Sequence, residues 1–247
     1  MLTSVNPENF IIYKDEPNTK SVYGIEHNRI VEIPNFVTAE EAKSIIDYFE
    51  FMGKNWGPIA FFGSKGMNVS KNDPELEKFN LRPTFFQELL DMYQEHMEHI
   101  FERKLRPNNI AHAQKWLKGG FASPHADNSE RDGSPNAFEI NKYVSLLYLN
   151  DDYEGGHLYF PDHDIDFKPQ ALSLIVFPGG VENVHGVAEI EEGERYTYVS
   201  FWDFAEAEYS EERRAEWQAE IDKLREYQAK EQEEWAQKEK EEKVEKE

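Results

Sequence analysis

Four residues in the second half of the chain carry side chains that can do chemistry together. His125 and Asp127 stand two apart in FASPHADNSE, His185 lies in ENVHGV, and Arg195 follows ten residues later. On an extended segment, residues two apart present their side chains to the same side, so one imidazole and one carboxylate can bind a single ion from that face. Alone, a His-x-Asp is a weak signal that suits a polar turn equally well. A second imidazole changes its meaning, because two histidines and a carboxylate on one face of Fe(II) leave three positions for exchangeable ligands. An arginine on the adjoining strand adds a planar cation that can grip a carboxylate with two parallel hydrogen bonds. The plain alternative for Arg195 is an ion pair with a glutamate of the EEGE turn before it.

The other histidines carry less. His96 and His99 lie three apart among Glu95, Glu98 and Glu102 and read as a solvated helix face. His163 sits in PDHDID, an acidic turn of a kind that occasionally holds a cation. His157 in GGHLYF reads as a strand side chain, and His27 and His112 have no partner pattern.

The elements that must position these residues are legible in outline. VEIPNFV at 31–37 reads as a strand running into a helix, with Thr38 and Glu41 as a capping box and Ala42, Ile45, Ile46 and Phe49 as its apolar stripe. Residues 63–82 are polar and rich in Gly and Asn, which predicts a long loop. A second helix begins at Pro83 and Thr84, with Phe86, Leu89, Leu90, Tyr93, Met97 and Ile100 on one side. After Pro107, short β-type segments at 109–116, 142–149, 156–160, 164–168, 172–178, 184–190 and 195–203 alternate with Gly-, Pro- and Asp-rich turns. That spacing predicts a sandwich or barrel with the two helices on one outer face. From Ser210 a charged helix follows, whose Trp217, Ile221, Leu224 and Tyr227 would dock on the body. Beyond Ala229 the chain is charged all round, a solvated helix or a partner-binding segment. The expected division is 1–207, with helical support at 38–104 and barrel at 107–203, followed by an acidic tail at 208–247.

Composition sets the outer limits. With 17 Phe, 12 Tyr and 5 Trp, a chain of 247 residues can build one large core. It contains no cysteine, which rules out disulfides, thiolate metal ligands and a Cys nucleophile and suits a reducing compartment. MLTSVNPENF lacks the basic start and apolar run of a signal peptide, and no apolar run reaches the roughly 18 residues of a membrane span. The expected place is the cytoplasm. A net charge of −22 repels phosphate backbones and anionic membranes, so nucleic-acid substrates are disfavoured.

The order of motifs resembles a known family: W-x2-GG-x3-PHAD, then SLLYLNDDYEGGHLYFP, then FPGGVENVHGV, then ERYTYVSFW. It is similar to the Fe(II)- and 2-oxoglutarate-dependent dioxygenases, in particular the prolyl 4-hydroxylase branch, over roughly residues 107–203. The resemblance implies a double-stranded β-helix, a jelly-roll barrel, in an α+β chain with supporting helices. It implies His125, Asp127 and His185 as Fe(II) ligands and Arg195 as the 2-oxoglutarate anchor. O2 would be the second co-substrate, and ascorbate an accessory small molecule. The implied reaction hydroxylates a protein or peptide side chain, most simply proline, while 2-oxoglutarate is decarboxylated to succinate and CO2. Related halogenases keep a small residue where this chain has Asp127, so the resemblance points away from halogenation.

The pattern also departs from the family. A tyrosine often stands nine or ten residues before the first His, where Trp116 holds the ninth place, and another three before it, where Ala122 stands. The strand tyrosine that helps hold 2-oxoglutarate in hypoxia-type enzymes aligns with Leu147. Tyr143 and Ser145, assigned the same inward parity as Leu147, are candidates for the missing hydroxyl, and Trp116 for an indole N–H donor. A packed aromatic core is the plain alternative for Trp116 and Tyr143. Three other functions fit parts of the sequence: hydroxylation of a free amino acid or small molecule, nucleic-acid demethylation, and a non-catalytic jelly-roll binding module.

Overall fold

The computed structural model describes residues 6–59, 62–223, 226 and 230. Strands β1 (Ile11–Pro17) and β2 (His27–Ile33) lead into helix α1 (Ala39–Phe51). Thr38 and Glu41 close the expected capping box at its start: Thr38 Oγ1 accepts from the Glu41 amide and a Glu41 carboxylate oxygen accepts from the Thr38 amide. Next come β3 (Gly57–Pro58), β4 (Phe62–Asn68) and helix α2 (Phe85–Phe101). The remainder is nearly all strand: β5 (Leu105–His125), β6 (Tyr143–Tyr148), β7 (Glu154–Gly155), β8 (Leu158–Phe160), β9 (Ile165–Phe167), β10 (Leu174–Pro178), β11 (His185–Val187), β12 (Ile190–Glu192) and β13 (Arg195–Phe204). Helical backbone resumes at 211–223.

The strands pair antiparallel in the order β1-β2-β10-β6-β13-β5-β11-β8-β9, with β4 joining β5 from the side and β7 pairing β12. This is the jelly roll, and β5 makes it close. Residues 105–116 of β5 pair with β13, and 122–125 pair with β11, so one strand serves both walls. It bends between them at Gly119 and Gly120. Gly119 has φ +82, and a side chain on Gly120 would meet the Leu117 and Gly63 carbonyls at 2.8 and 3.0 Å.

Two apolar cores lie on the two faces of the larger wall. On the outer face α1 and α2 pack through Phe49, Phe86 and Tyr93 against Tyr198, Trp202, Leu147 and Tyr143. Inside the barrel, Val144, Tyr148, Leu158, Phe160, Ile175 and Phe177 form a second, smaller core. Both faces of β6, β10 and β13 are therefore buried. Among the described residues no helix is long and apolar enough to cross a membrane.

Two stretches differ from the sequence expectation. Residues 63–82 are not a long loop, because β4 runs alongside β5 and a 3-10 helix follows at Pro74–Phe79. An edge strand such as GSKGMN takes its order from the ladder it joins, not from its own side chains. At the other end, Trp217 is buried and meets Tyr209 edge to face at 4.7 Å between ring centroids, while Arg213 Nε lies 3.0 Å from Glu139. The expected contacts of Leu224 and Tyr227, and the charged stretch at 231–247, lie outside the described residues.

Candidate metal centre

His125 ends β5 and His185 begins β11, and the two are direct partners in the strand ladder. Their rings lie 4.6 Å apart, centroid to centroid. Asp127 follows β5 by two residues, its backbone N–H donating to the Gly179 carbonyl at 2.8 Å. That contact ties the carboxylate to the chain just before His185. One ligand atom from each of the three residues falls within 4.8 Å of the others, with Asp127 oxygens 3.9 Å from His125 Nε2 and 3.6 Å from His185 Nε2.

The donor set suits a divalent ion. His125 Nδ1 donates to the Ser123 carbonyl at 2.8 Å and His185 Nδ1 to the Asn183 carbonyl at 3.0 Å. A carbonyl can only accept, so both rings carry their proton on Nδ1 and leave Nε2 as the lone-pair nitrogen. Asp127 Oδ2 is buried with no hydrogen-bond partner, which a cation would remedy. Burial pushes the Asp127 carboxyl up to about 6, against a smaller lowering by His125. Burial, with a further lowering by His125, brings His185 down to about 3, so it stays neutral.

The signs give a pH prediction. Without metal, the raised Asp127 pKa favours the folded state at low pH, and that contribution is lost as pH rises through about 6. Metal binding needs the carboxylate and therefore strengthens as pH rises through the same range. Melting curves of metal-free and Mn(II)-loaded protein should diverge above about pH 6 and converge below it. Metal stabilisation that is equal on both sides of that pH would contradict the assignment.

Behind the three ligands lies a cavity of about 440 Å³, counting the part open to solvent, and Arg195 is in its wall. Arg195 is 2 % exposed. Its Nη1 donates to the Gly156 carbonyl at 2.9 Å, its guanidinium lies 4.5 Å from the Trp116 ring and 5.4 Å from that of Tyr148, and its Nε has no partner. The neighbouring glutamates point elsewhere: Glu194 pairs with Lys115 at 2.8 Å and Glu192 with Lys118. Among the described residues no carboxylate pairs with Arg195, so the ion-pair alternative does not hold. Gly156 has φ +66, and a side chain there would collide with Ile190 and Tyr153, which explains the second glycine of EGGH.

Trp116 lines this cavity with its indole N–H donating to Gln114 Oε1 at 3.3 Å, but Tyr143 and Ser145 do not line it. Tyr143 packs on Phe101 at 4.4 Å in the helix-side core. Ser145 Oγ donates to the Ser200 carbonyl and accepts from Trp202 Nε1. Reading Leu147 as inward set β6 one residue out of register with its true facing, which turns every side chain over. Val144, Leu146 and Tyr148 face the cavity instead. Tyr148 therefore lines the cavity where the sequence reading places Tyr143 and Ser145, and Gln114 and Thr197, which that reading does not single out, line the same wall.

Fold and site together define a jelly-roll barrel with a two-histidine, one-carboxylate centre and a buried arginine beside it. Residues 111–203 match the model of the 2OG-Fe(II) oxygenase superfamily. The chain is 37% identical over 90 residues to prolyl 3-hydroxylase 2 of Rattus norvegicus, covering 32% of this chain but 13% of that protein. In fold it is similar to a prolyl-4-hydroxylase of Pseudomonas putida, with TM-score 0.53, 17% identity and coverage of 71% of this chain and 92% of that one. It is also similar to a Trichoplax adhaerens prolyl hydroxylase solved with a hypoxia inducible factor peptide fragment, with TM-score 0.52, 17% identity and coverage of 75% and 86%.

Proposed function

We propose that this protein is an Fe(II)- and 2-oxoglutarate-dependent dioxygenase that hydroxylates prolyl residues of a protein or peptide. One observation carries the reading: a buried arginine, with no carboxylate partner among the described residues, shares a cavity with the His125, Asp127 and His185 cluster. An unpaired buried guanidinium is costly, and an anionic ligand is what offsets that cost. In this reading the three cluster residues hold the metal, and Arg195 grips the distal carboxylate of 2-oxoglutarate. Gly156 holds the guanidinium in place through its carbonyl, while Trp116 and Tyr148 wall it off from water. Tyr148, whose side chain lines the cavity, takes the role expected of Tyr143 and Ser145. Fe(II) held by His125, Asp127 and His185 would supply the redox chemistry that couples decarboxylation of 2-oxoglutarate, to succinate and CO2, with insertion of one atom of O2 into a C–H bond.

Proline as the target is supported by the names of the relatives in sequence and of the neighbours in fold. The test incubates the protein with Fe(II), 2-oxoglutarate and proline-containing peptides, with free proline and free lysine alongside. Peptides gaining one oxygen atom in step with succinate release are expected. Oxygen transfer to the free amino acids alone would replace this reading with the small-molecule alternative. We assign residues 1–207 to the catalytic unit and 208–247 to an appendage, with ascorbate as an accessory reductant whose omission should slow sustained turnover. A cytoplasmic location is supported only by the cysteine-free sequence, and recovery from a membrane or secreted fraction would contradict it.

A further inference from the structure

His112 has no part in the site described above, yet a chain of hydrogen bonds fixes its ring. The indole N–H of Trp116 can only donate, so the Gln114 atom 3.3 Å from it is the amide oxygen. Thr197 Oγ1 donates to the same oxygen at 3.4 Å. The Gln114 amide nitrogen therefore faces His112 and stands 3.0 Å from its Nε2. That nitrogen can only donate, which makes His112 Nε2 the acceptor and places the ring proton on Nδ1. Burial pushes the imidazole down to about 4, so the ring is neutral with one donor and one acceptor. The donor, Nδ1–H, is buried and no described residue accepts from it. A buried N–H lacking an acceptor is a standing cost that a bound oxygen removes.

The strand register says where such an oxygen comes from. Asn68 of β4, His112 of β5, Val199 of β13 and Leu146 of β6 are successive cross-strand partners and share one face of the sheet. Val199 and Leu146 line the cavity, whereas Asn68 is exposed at the edge of the wall. His112 stands on the step between them, half-buried, with its ring 6.0 Å from that of the cavity-lining Phe201. Gln114 lies one residue pair deeper, and Trp116 opposite Arg195 deeper again. A co-substrate gripped by Arg195 fills the deep end, so what passes His112 is what enters from the rim.

We infer that His112 binds the substrate, its Nδ1–H donating to a main-chain carbonyl oxygen of a peptide that reaches the metal centre across β4 and β5. The inference rests on the hydroxylase reading given above. Nitrogen-15 spectra of the histidine side chains, assigned with His112→Phe, read the tautomer without any substrate. A ring protonated on Nε2 overturns the inference. Next, a proline peptide that the wild type converts is titrated into protein loaded with Mn(II) and 2-oxoglutarate. His112→Phe, which keeps the ring but not the donor, should weaken peptide binding roughly tenfold. His112→Asn, with an amide N–H near the Nδ1 position, should restore part of it, and 2-oxoglutarate affinity should stay unchanged in both variants. Weakened 2-oxoglutarate binding with peptide binding intact would give the donor to the co-substrate, and no change in either would make His112 structural; both results overturn the inference. If no peptide is converted at all, the hydroxylase reading fails and the inference falls with it, whereas conversion with unchanged peptide affinity in His112→Phe overturns the inference alone.

Discussion

Replacing His185 with Ala should remove metal binding and turnover while the barrel stays folded. In the proposed centre the ring is one of three donors, and its loss should exceed the ~10–100-fold cost of losing an outer hydrogen-bond partner of a ligand. His185 also packs beside Phe160 and Phe177, with ring centroids 5.7 and 4.8 Å away, so truncation leaves a gap and lowers the melting temperature. His185→Gln fills more of that space and separates the two effects. Both variants should lose Mn(II) binding in calorimetry, and only the alanine variant should melt markedly earlier. Normal turnover by His185→Ala would show that the ligands are misassigned.

The second large effect belongs to Arg195. Arg195→Ala should weaken 2-oxoglutarate by about 3–5 kcal/mol, on the order of 10²–10⁴-fold, the range expected when one partner of a buried charge pair is removed. Arg195→Lys keeps the charge but not the planar fork and should fall between the two. Mn(II) affinity should be unchanged, because Arg195 is held by Gly156, Trp116 and Tyr148. Equal 2-oxoglutarate affinity in wild type and Arg195→Ala would remove the anchor from the account.

The chemistry-bearing residues were legible because their types are uncommon in a β-rich barrel and their order along the chain is informative. His125, Asp127, His185 and Arg195 could be picked out before any fold was known, and the structure brings all four to one cavity. The facing of β6 was not legible. KYVSLLYLN is buried on both sides, by helices without and by the barrel within, so no polar–apolar alternation marks which side is which. That ambiguity put Tyr143 and Ser145 in place of Tyr148. The β4 segment hid for a related reason, since GSKGMN has little β-type composition and is a strand through its pairing with β5. His112 carried no signal at all. Its meaning depends on Gln114 and Trp116, which alternate with it only once β5 is known to be extended.

One titration tests the central claim most directly: 2-oxoglutarate added to the protein, first metal-free and then loaded with Mn(II). The account predicts saturable binding to one site that needs the metal, because the two ends of the co-substrate are held by the cluster at His125, Asp127 and His185 and by the guanidinium of Arg195. Absence of 2-oxoglutarate binding to the metal-loaded wild type would contradict it and leave a jelly-roll module that binds something else.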